Sequence, residues 1–322
     1  MSPAEPRIFI SIACFSDPDV VDTVKDALAQ ATHPLRLSFG ICLQALPDDP
    51  AYDELAGLSQ VRLDRISVSE ARGPIYARSR CETLLEGEEY FLQLDCHSRF
   101  FEGWDEILIE EFQSACNMSE RVVISHYPIN ISNMTSDEHL RVIGHVNRYR
   151  QVDAESIKSH GSLISLPERP LVSFGISAAM LFMRSEDRLR FPYDPELDFG
   201  LHAAEQVLYA IRLWTHGYDI LCPTRHAVAT DYAGSRDRIP DDAKRISNGN
   251  RMHWPQATWS KVKYILGLDT LEQVDLVYRD GMSQCLERFG LGDERSLLDY
   301  FRFAGIHEQL KEAFPHYRYQ DE

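Results

Sequence analysis

Glu89-Tyr90-Phe91-Leu92-Gln93-Leu94-Asp95 reads as a buried strand, and it runs straight into Cys96-His97. An apolar run of this length fits a strand covered on both faces of a sheet. The sequence upstream repeats the arrangement. Ile8–Phe15 is a second apolar run, closed by Ser16-Asp17-Pro18-Asp19, a polar cluster that can cap the amphipathic segment Val20–Ala31. His33-Pro34 breaks the pattern before Leu35–Gln44, and Val61–Val68 then alternates as a strand does. Glu70–Leu85 predicts a helix ahead of the opening stretch; Trp104–Ala115 and Arg121–His126 predict a helix and a strand behind it. Alternation through about residue 130 predicts an α/β chain, Rossmann-like, with a mostly parallel sheet flanked by helices and ligands at the carboxyl ends of its strands.

Further along, Pro128–Pro170 is rich in His, Asn and Ser and carries no regular pattern. Leu171–Met183 is apolar enough for one buried strand, Ala203–His216 reads as a helix stopped by Gly217, and Asp219–Cys222 as a strand stopped by Pro223. From Ser260 the periodicity is helical, with a break at Phe289-Gly290-Leu291-Gly292. The expected division is a catalytic domain over 1–259 and a helical extension over 260–322, packed on the same domain.

The 322 residues include 33 Lys and Arg against 50 Asp and Glu, a formal charge of −17. Such a balance argues against a broad grip on nucleic acid or anionic lipid, and leaves open a local basic pocket. No apolar run approaches a membrane span, and Met1–Arg7 lacks the basic start of a secretion signal. The seven cysteines are scattered and without CxxC spacing, as in reduced cytosolic proteins. A cytoplasmic protein without structural zinc is expected.

Positions two apart on a strand point the same way, so Asp95 and His97 can converge on one ion at the strand's carboxyl end. A carboxylate with an imidazole suits Mn²⁺ or a related divalent ion better than calcium. The plainer reading is an Asp that caps the following helix beside an unrelated loop His. Arg72 stands at the amino end of the helix preceding this strand and can face a phosphate there, with Arg78 further inside. Read alone, either arginine is a helix-surface cation paired with Glu82 or its neighbours. Two cations beside a candidate metal point instead to a diphosphate.

Ala71-Arg72-Gly73-Pro74 with Ala77-Arg78, then Gly87 through Phe100 and Gly103-Trp104-Asp105, resemble the family of cytoplasmic hydroxyproline N-acetylglucosaminyltransferases, which are GT-A glycosyltransferases. Further matches are Ser173-Phe174-Gly175-Ile176-Ser177, Pro192-Tyr193-Asp194-Pro195, Arg212–Asp219, Lys263–Leu268 and Gly290-Leu291-Gly292 with Arg295-Ser296-Leu297, in order from residue 7 to about 306. The resemblance implies a GT-A fold, a UDP-sugar donor (UDP-N-acetylglucosamine), Mn²⁺ held by Asp95 and His97, retention of anomeric configuration, and a protein or glycan acceptor. It places Ala13, Cys14 and Phe15 at the uridine, Arg72, Arg78 and Gly175 beside the donor, and Glu205 and Arg78 in catalysis.

Two positions depart from the family. Its Gly-Glu-Glu aligns with Ala204-Glu205-Gln206, so the second carboxylate becomes Gln206. Its third metal ligand, a His, aligns with Thr230; Asp231 next to it is the substitute, with His226, His253 or water as the other choices. The rival classes are a sugar-nucleotide nucleotidyltransferase, for which Ala13–Asp19 lacks the glycine and basic residue of a triphosphate loop, and a non-catalytic nucleotide-sugar or glycan-binding module, which the two departures favour.

Overall fold

A strand buried between two layers needs apolar side chains on both faces, and Ile8–Phe15 (β1) supplies them. Ile8, Ile10 and Ile12 belong to one core and Phe9 to the other. A computed structural model describes residues 6–49, 51–199, 203–250 and 254–322. After β1 come α1 (Asp19–Gln30), β2 (Leu37–Ala45), α2 (Ala51–Ala56), β3 (Val61–Ser67), α3 (Pro74–Glu82), β4 (Tyr90–Asp95), β5 (Ser98–Phe100), α4 (Trp104–Cys116), β6 (Val122–Ser125) and β7 (Ile129–Asn130). The second half holds β8 (Val142–Asp153), β9 (Ser156–Ser165), β10 (Leu171–Ser173), β11 (Met180–Arg184), α5 (Ser185–Arg190), α6 (Tyr209–Thr215), β12 (Asp219–Cys222) and β13 (Val228–Thr230). It closes with α7 (Ser235–Arg238), α8 (Asp241–Asn250), α9 (Trp254–Ile265), α10 (Leu276–Arg279), α11 (Met282–Phe289), α12 (Leu297–Phe303) and α13 (His307–Ala313).

Eight strands form the central sheet in the order β10-β12-β6-β11-β4-β1-β2-β3. Its ladders are parallel except where β11 lies between β4 and β6 and where β10 borders β12. Trp104, Leu108 and Phe112 of α4, with Val20 and Val24 of α1, cover one face. Ile211 and Leu213 of α6, Val262 and Ile265 of α9, and Tyr300 and Phe301 of α12 cover the other. A three-stranded sheet, β5-β13-β7, and the β8–β9 hairpin hold the remaining described strands. Among the described residues no helix is long and apolar enough to cross a membrane.

Four expectations change. Leu171–Met183 is two strands rather than one: β10 is an edge strand, β11 is fully interior, and β12 and β6 stand between them. Apolar character alone does not register that crossing. The helix expected from Glu70 begins at Pro74, because Val68–Glu70 forms a 3₁₀ turn closed by a capping box with Ser67 and Gly73 takes φ +96° just before the proline. Residues 203–216 open as a π-helix over Ala203–Leu208 before α6 begins. Pro128–Pro170, patternless in sequence, contains the long β8–β9 hairpin.

Candidate active site

Asp95 ends β4 and the chain turns at once into β5, so Asp95 and His97 share the carboxyl edge of the sheet. His97 Nε2 stands 3.9 Å from Asp95 Oδ2. Its Nδ1 lies 3.2 Å from Asp17 Oδ2, in the polar turn after β1. That turn is sharp: Ser16 adopts φ +45°, with its amide donating to the Gln44 carbonyl at 3.0 Å. A carboxylate on Nδ1 orients the ring and leaves Nε2 facing Asp95, the arrangement that prepares an imidazole to ligate a metal.

Burial opposes charge on His97, yet the hydrogen bond to Asp17, with Cys96 and Asp95 close by, raises its pKa to about 10. Burial likewise works against the Asp17 carboxylate, and hydrogen bonds from His97 and Arg238 outweigh it, holding that carboxyl below its ordinary range. Ligand atoms of Asp17, Cys96 and His97 lie within 4.8 Å of one another. One hard oxygen from Asp95 and an imidazole nitrogen braced by a second carboxylate form a donor set that fits a divalent cation.

The other Asp95 oxygen, Oδ1, accepts from Arg78 Nη2 at 3.2 Å. Arg78 is buried, with Nε donating to Glu205 Oε1 at 2.5 Å, Nη1 to the Leu94 carbonyl at 3.1 Å and Nη2 also to the Ala178 carbonyl at 3.0 Å. Burial opposes its charge, and Glu205 and Asp95 raise its pKa in spite of that. Arg78 is therefore the link between the two carboxylates rather than a cation extended into solvent.

Glu205 and Gln206 are consecutive, and the π-helix buries both, at 5% and 7% exposure. Gln206 Oε1 accepts from Tyr127 Oη at 2.8 Å and from Ser159 Oγ at 3.3 Å, joining this turn to β9. A neutral acceptor at position 206 suits those two hydroxyls.

At the end of β1, Ala13 pairs with Asp95 in the sheet register, and Cys14 Sγ lies 3.4 Å from the Asp17 carbonyl oxygen, so Ala13, Cys14 and Phe15 border the site. Arg72 stands at the rim of a cleft of ≈510 Å³ lined by Ser69, Glu70, Ala71, Tyr76, Asp198 and Phe199. Its Nε and Nη2 donate to Asp198 at 2.6 and 2.8 Å, and its guanidinium covers the Tyr76 ring at 4.7 Å. Gly175 is held by packing: a Cβ there would lie 2.7 Å from Val146 Cγ1 of β8.

The Asp231 amide donates to the His97 carbonyl at 3.0 Å, and Thr230 Oγ1 to the same carbonyl at 3.3 Å. The Asp231 side chain is otherwise engaged. Its Oδ1 accepts the Ala233 and Gly234 amides, each at 3.0 Å, and Oδ2 accepts Arg238 Nη1 at 2.7 Å. Those bonds, Arg238's first, hold its pKa down to about 2. His226 Nε2 donates to the Val142 carbonyl at 2.9 Å and its ring packs against Phe101 and His126, so it is directed elsewhere. His253 lies outside the described residues.

Asp17 and Arg238 are the two residues that sequence reasoning missed here. Arg238 Nε and Nη2 reach Asp17 at 3.0 and 3.3 Å, across 221 positions of chain. Asp17 reads locally as a helix cap, and nothing around Arg238 signals its partner.

A mostly parallel sheet flanked by helices, with β11 inserted antiparallel, matches the GT-A glycosyltransferase fold. GalNAc-T7 with UDP, GalNAc and Mn²⁺ superposes with a TM-score of 0.58 at 11% identity, over 98% of this chain and 59% of that one. The present chain thus spans 59% of GalNAc-T7's length. S. aureus TarS 1-349 in complex with UDP-GlcNAc aligns with a TM-score of 0.48 at 9% identity, over 96% of this chain and 84% of that one. No curated protein matches the sequence. The model of the family described as Glycosyltransferase (GlcNAc) matches residues 50–310, and the chain belongs to that family.

Proposed function

We propose that this family member is a metal-dependent, retaining glycosyltransferase that moves N-acetylglucosamine from UDP-N-acetylglucosamine to a hydroxyl of a protein or glycan. The observation that carries the reading is the pair Asp95 and His97 at the carboxyl end of β4, with Arg78 joining Asp95 to Glu205. The similar GalNAc-T7 structure holds UDP, GalNAc and Mn²⁺, which supports a UDP-sugar donor and a divalent ion.

Asp95 and His97 would hold the divalent ion, which when bound supplies positive charge against the diphosphate of the leaving UDP. Arg78 is a positioning residue: it fixes the Asp95 and Glu205 carboxylates relative to each other. Asp17 keeps Nε2 of His97 turned toward Asp95. The anomeric carbon–oxygen bond to the β-phosphate breaks, the acceptor oxygen bonds the same face of that carbon, and the acceptor proton passes to the departing phosphate oxygen. Glu205 orients that hydroxyl or the cationic sugar. Ala13, Cys14 and Phe15 border the uridine, and Arg72 and Gly175 flank the donor in this reading.

Release of UDP from a panel of UDP-sugars by the purified chain with Mn²⁺ tests the donor. UDP-N-acetylglucosamine should be the preferred member; faster release from another sugar contradicts the assignment. A second reading, a nucleotide-sugar-binding protein without turnover, draws support from Arg238, whose guanidinium bridges Asp17 and Asp231 beside His97. UDP binding with no release in the presence of any acceptor supports that alternative.

A further inference from the structure

On a chain of net charge −17, the β8–β9 hairpin carries a cationic face. Arg148 pairs across the ladder with His160 and Gln151 with Lys158, while a register shift between Tyr149 and Gln151 leaves Arg150 in a bulge. Bulges re-aim side chains. Arg150, Lys158 and His160 line a recess of ≈470 Å³, and Arg148, Arg150 and His160 line a neighbouring one of ≈310 Å³. Burial first, then Arg148 and Arg150, hold the His160 imidazole below its ordinary pKa, which places these groups close together. Both arginines are exposed, and among the described residues neither has an ion-pair partner.

The floor of the larger recess is apolar and aromatic, formed by Tyr127, Pro128, Ile129, Leu163 and Tyr232, with Leu163 67% exposed. The recess adjoins the candidate active site at two points. Tyr127 donates to Gln206, the neighbour of Glu205. Tyr232 donates to the Pro128 carbonyl at 3.0 Å and directly follows Asp231, whose amide donates to the His97 carbonyl. Among the described strands β9 pairs with β8 alone.

From this juxtaposition we propose that the two neighbouring recesses together form the acceptor subsite and select an acidic peptide, its carboxylates against Arg148, Arg150 and Lys158 and its hydroxyl-bearing residue toward Asp95 and Glu205. The proposal rests on the transferase reading and adds the acceptor class. A polyol phosphate would satisfy the cations but leave the apolar floor uncovered, whereas a peptide with mixed apolar and acidic residues covers both.

Equilibrium binding of labelled peptides to the full chain tests it. The peptides share a central threonine and differ only in Glu, Gln or Lys flanks, and each is measured with and without UDP. The Glu-flanked peptide should bind about tenfold more tightly than its Gln counterpart. That preference should weaken with added salt and disappear in the Arg148→Glu/Arg150→Glu double variant. Equal affinities for all three peptides, a preference that survives the double variant, or tighter binding of an oligomeric polyol phosphate overturns the proposal. UDP is titrated separately: failure to bind it contradicts the transferase reading, while the comparison among peptides judges the acidic subsite independently.

Discussion

Arg78 shows how one buried cation organises a site. Its guanidinium bonds both Glu205 and Asp95, and it is the inward-facing residue of a helix whose surface arginine, Arg80, pairs with Asp64 instead. Removing a buried partner strands a carboxylate, so Arg78→Met should destabilise the fold by about 3–5 kcal/mol in denaturant unfolding. A loss below about 1 kcal/mol contradicts that role. Asp95 is more exposed, and an asparagine there still accepts from Arg78. Asp95→Asn should stay within about 1 kcal/mol of the parent while losing turnover, a split that the same unfolding curves and a UDP assay report. Gln206→Leu leaves the Tyr127 and Ser159 hydroxyls without their shared acceptor and should cost about 1–3 kcal/mol. The convergence of Asp95 and His97 is legible from sequence because they stand two apart where a patterned strand ends, whereas Glu205 enters only through the family resemblance. Asp17 and Arg238 are not legible, since their pairing depends on where distant loops come to rest.

At the level of elements, β1, β2 and β4 are legible because strands buried on both faces must be apolar throughout, and the edge strand β3 because it alternates; turn residues punctuate them. The β8–β9 hairpin fails that test: its exposed face carries Arg148, Arg150 and Lys158, and two register shifts break the alternation. The start of α3 depends on Gly73, whose φ is +96° and whose missing Cβ lets the Phe199 backbone approach to 2.8 Å of where that atom would be. Gly73→Ala should therefore cost about 2 kcal/mol or more, read as a lowered Tm. His126, just past β6, is fully buried with neither ring nitrogen bonded among the described residues. Burial, then His226, lowers its pKa to about 3. The folded state binds fewer protons than the unfolded one, so stability is present above the unfolded value near about 6.5 and is lost as pH falls toward the folded value. His126→Phe should shrink the stability difference between about pH 7.5 and about pH 5 by about 2 kcal/mol. An unchanged acid limb contradicts this.

For the whole molecule, the −17 charge excludes broad polyanion binding yet says nothing of a basic hairpin on one wall, because net charge averages over the surface. The family and the sheet follow from ordered motifs along most of the chain, whereas acceptor chemistry rests on surfaces that only three-dimensional placement brings together. The most direct measurement is the rate of UDP release from UDP-N-acetylglucosamine by the parent chain and Asp95→Ala, each with Mn²⁺ and with chelator. The account predicts release by the parent with Mn²⁺ only, and none by the variant under either condition. Release that persists in chelator, or parent-like release by Asp95→Ala, would contradict it.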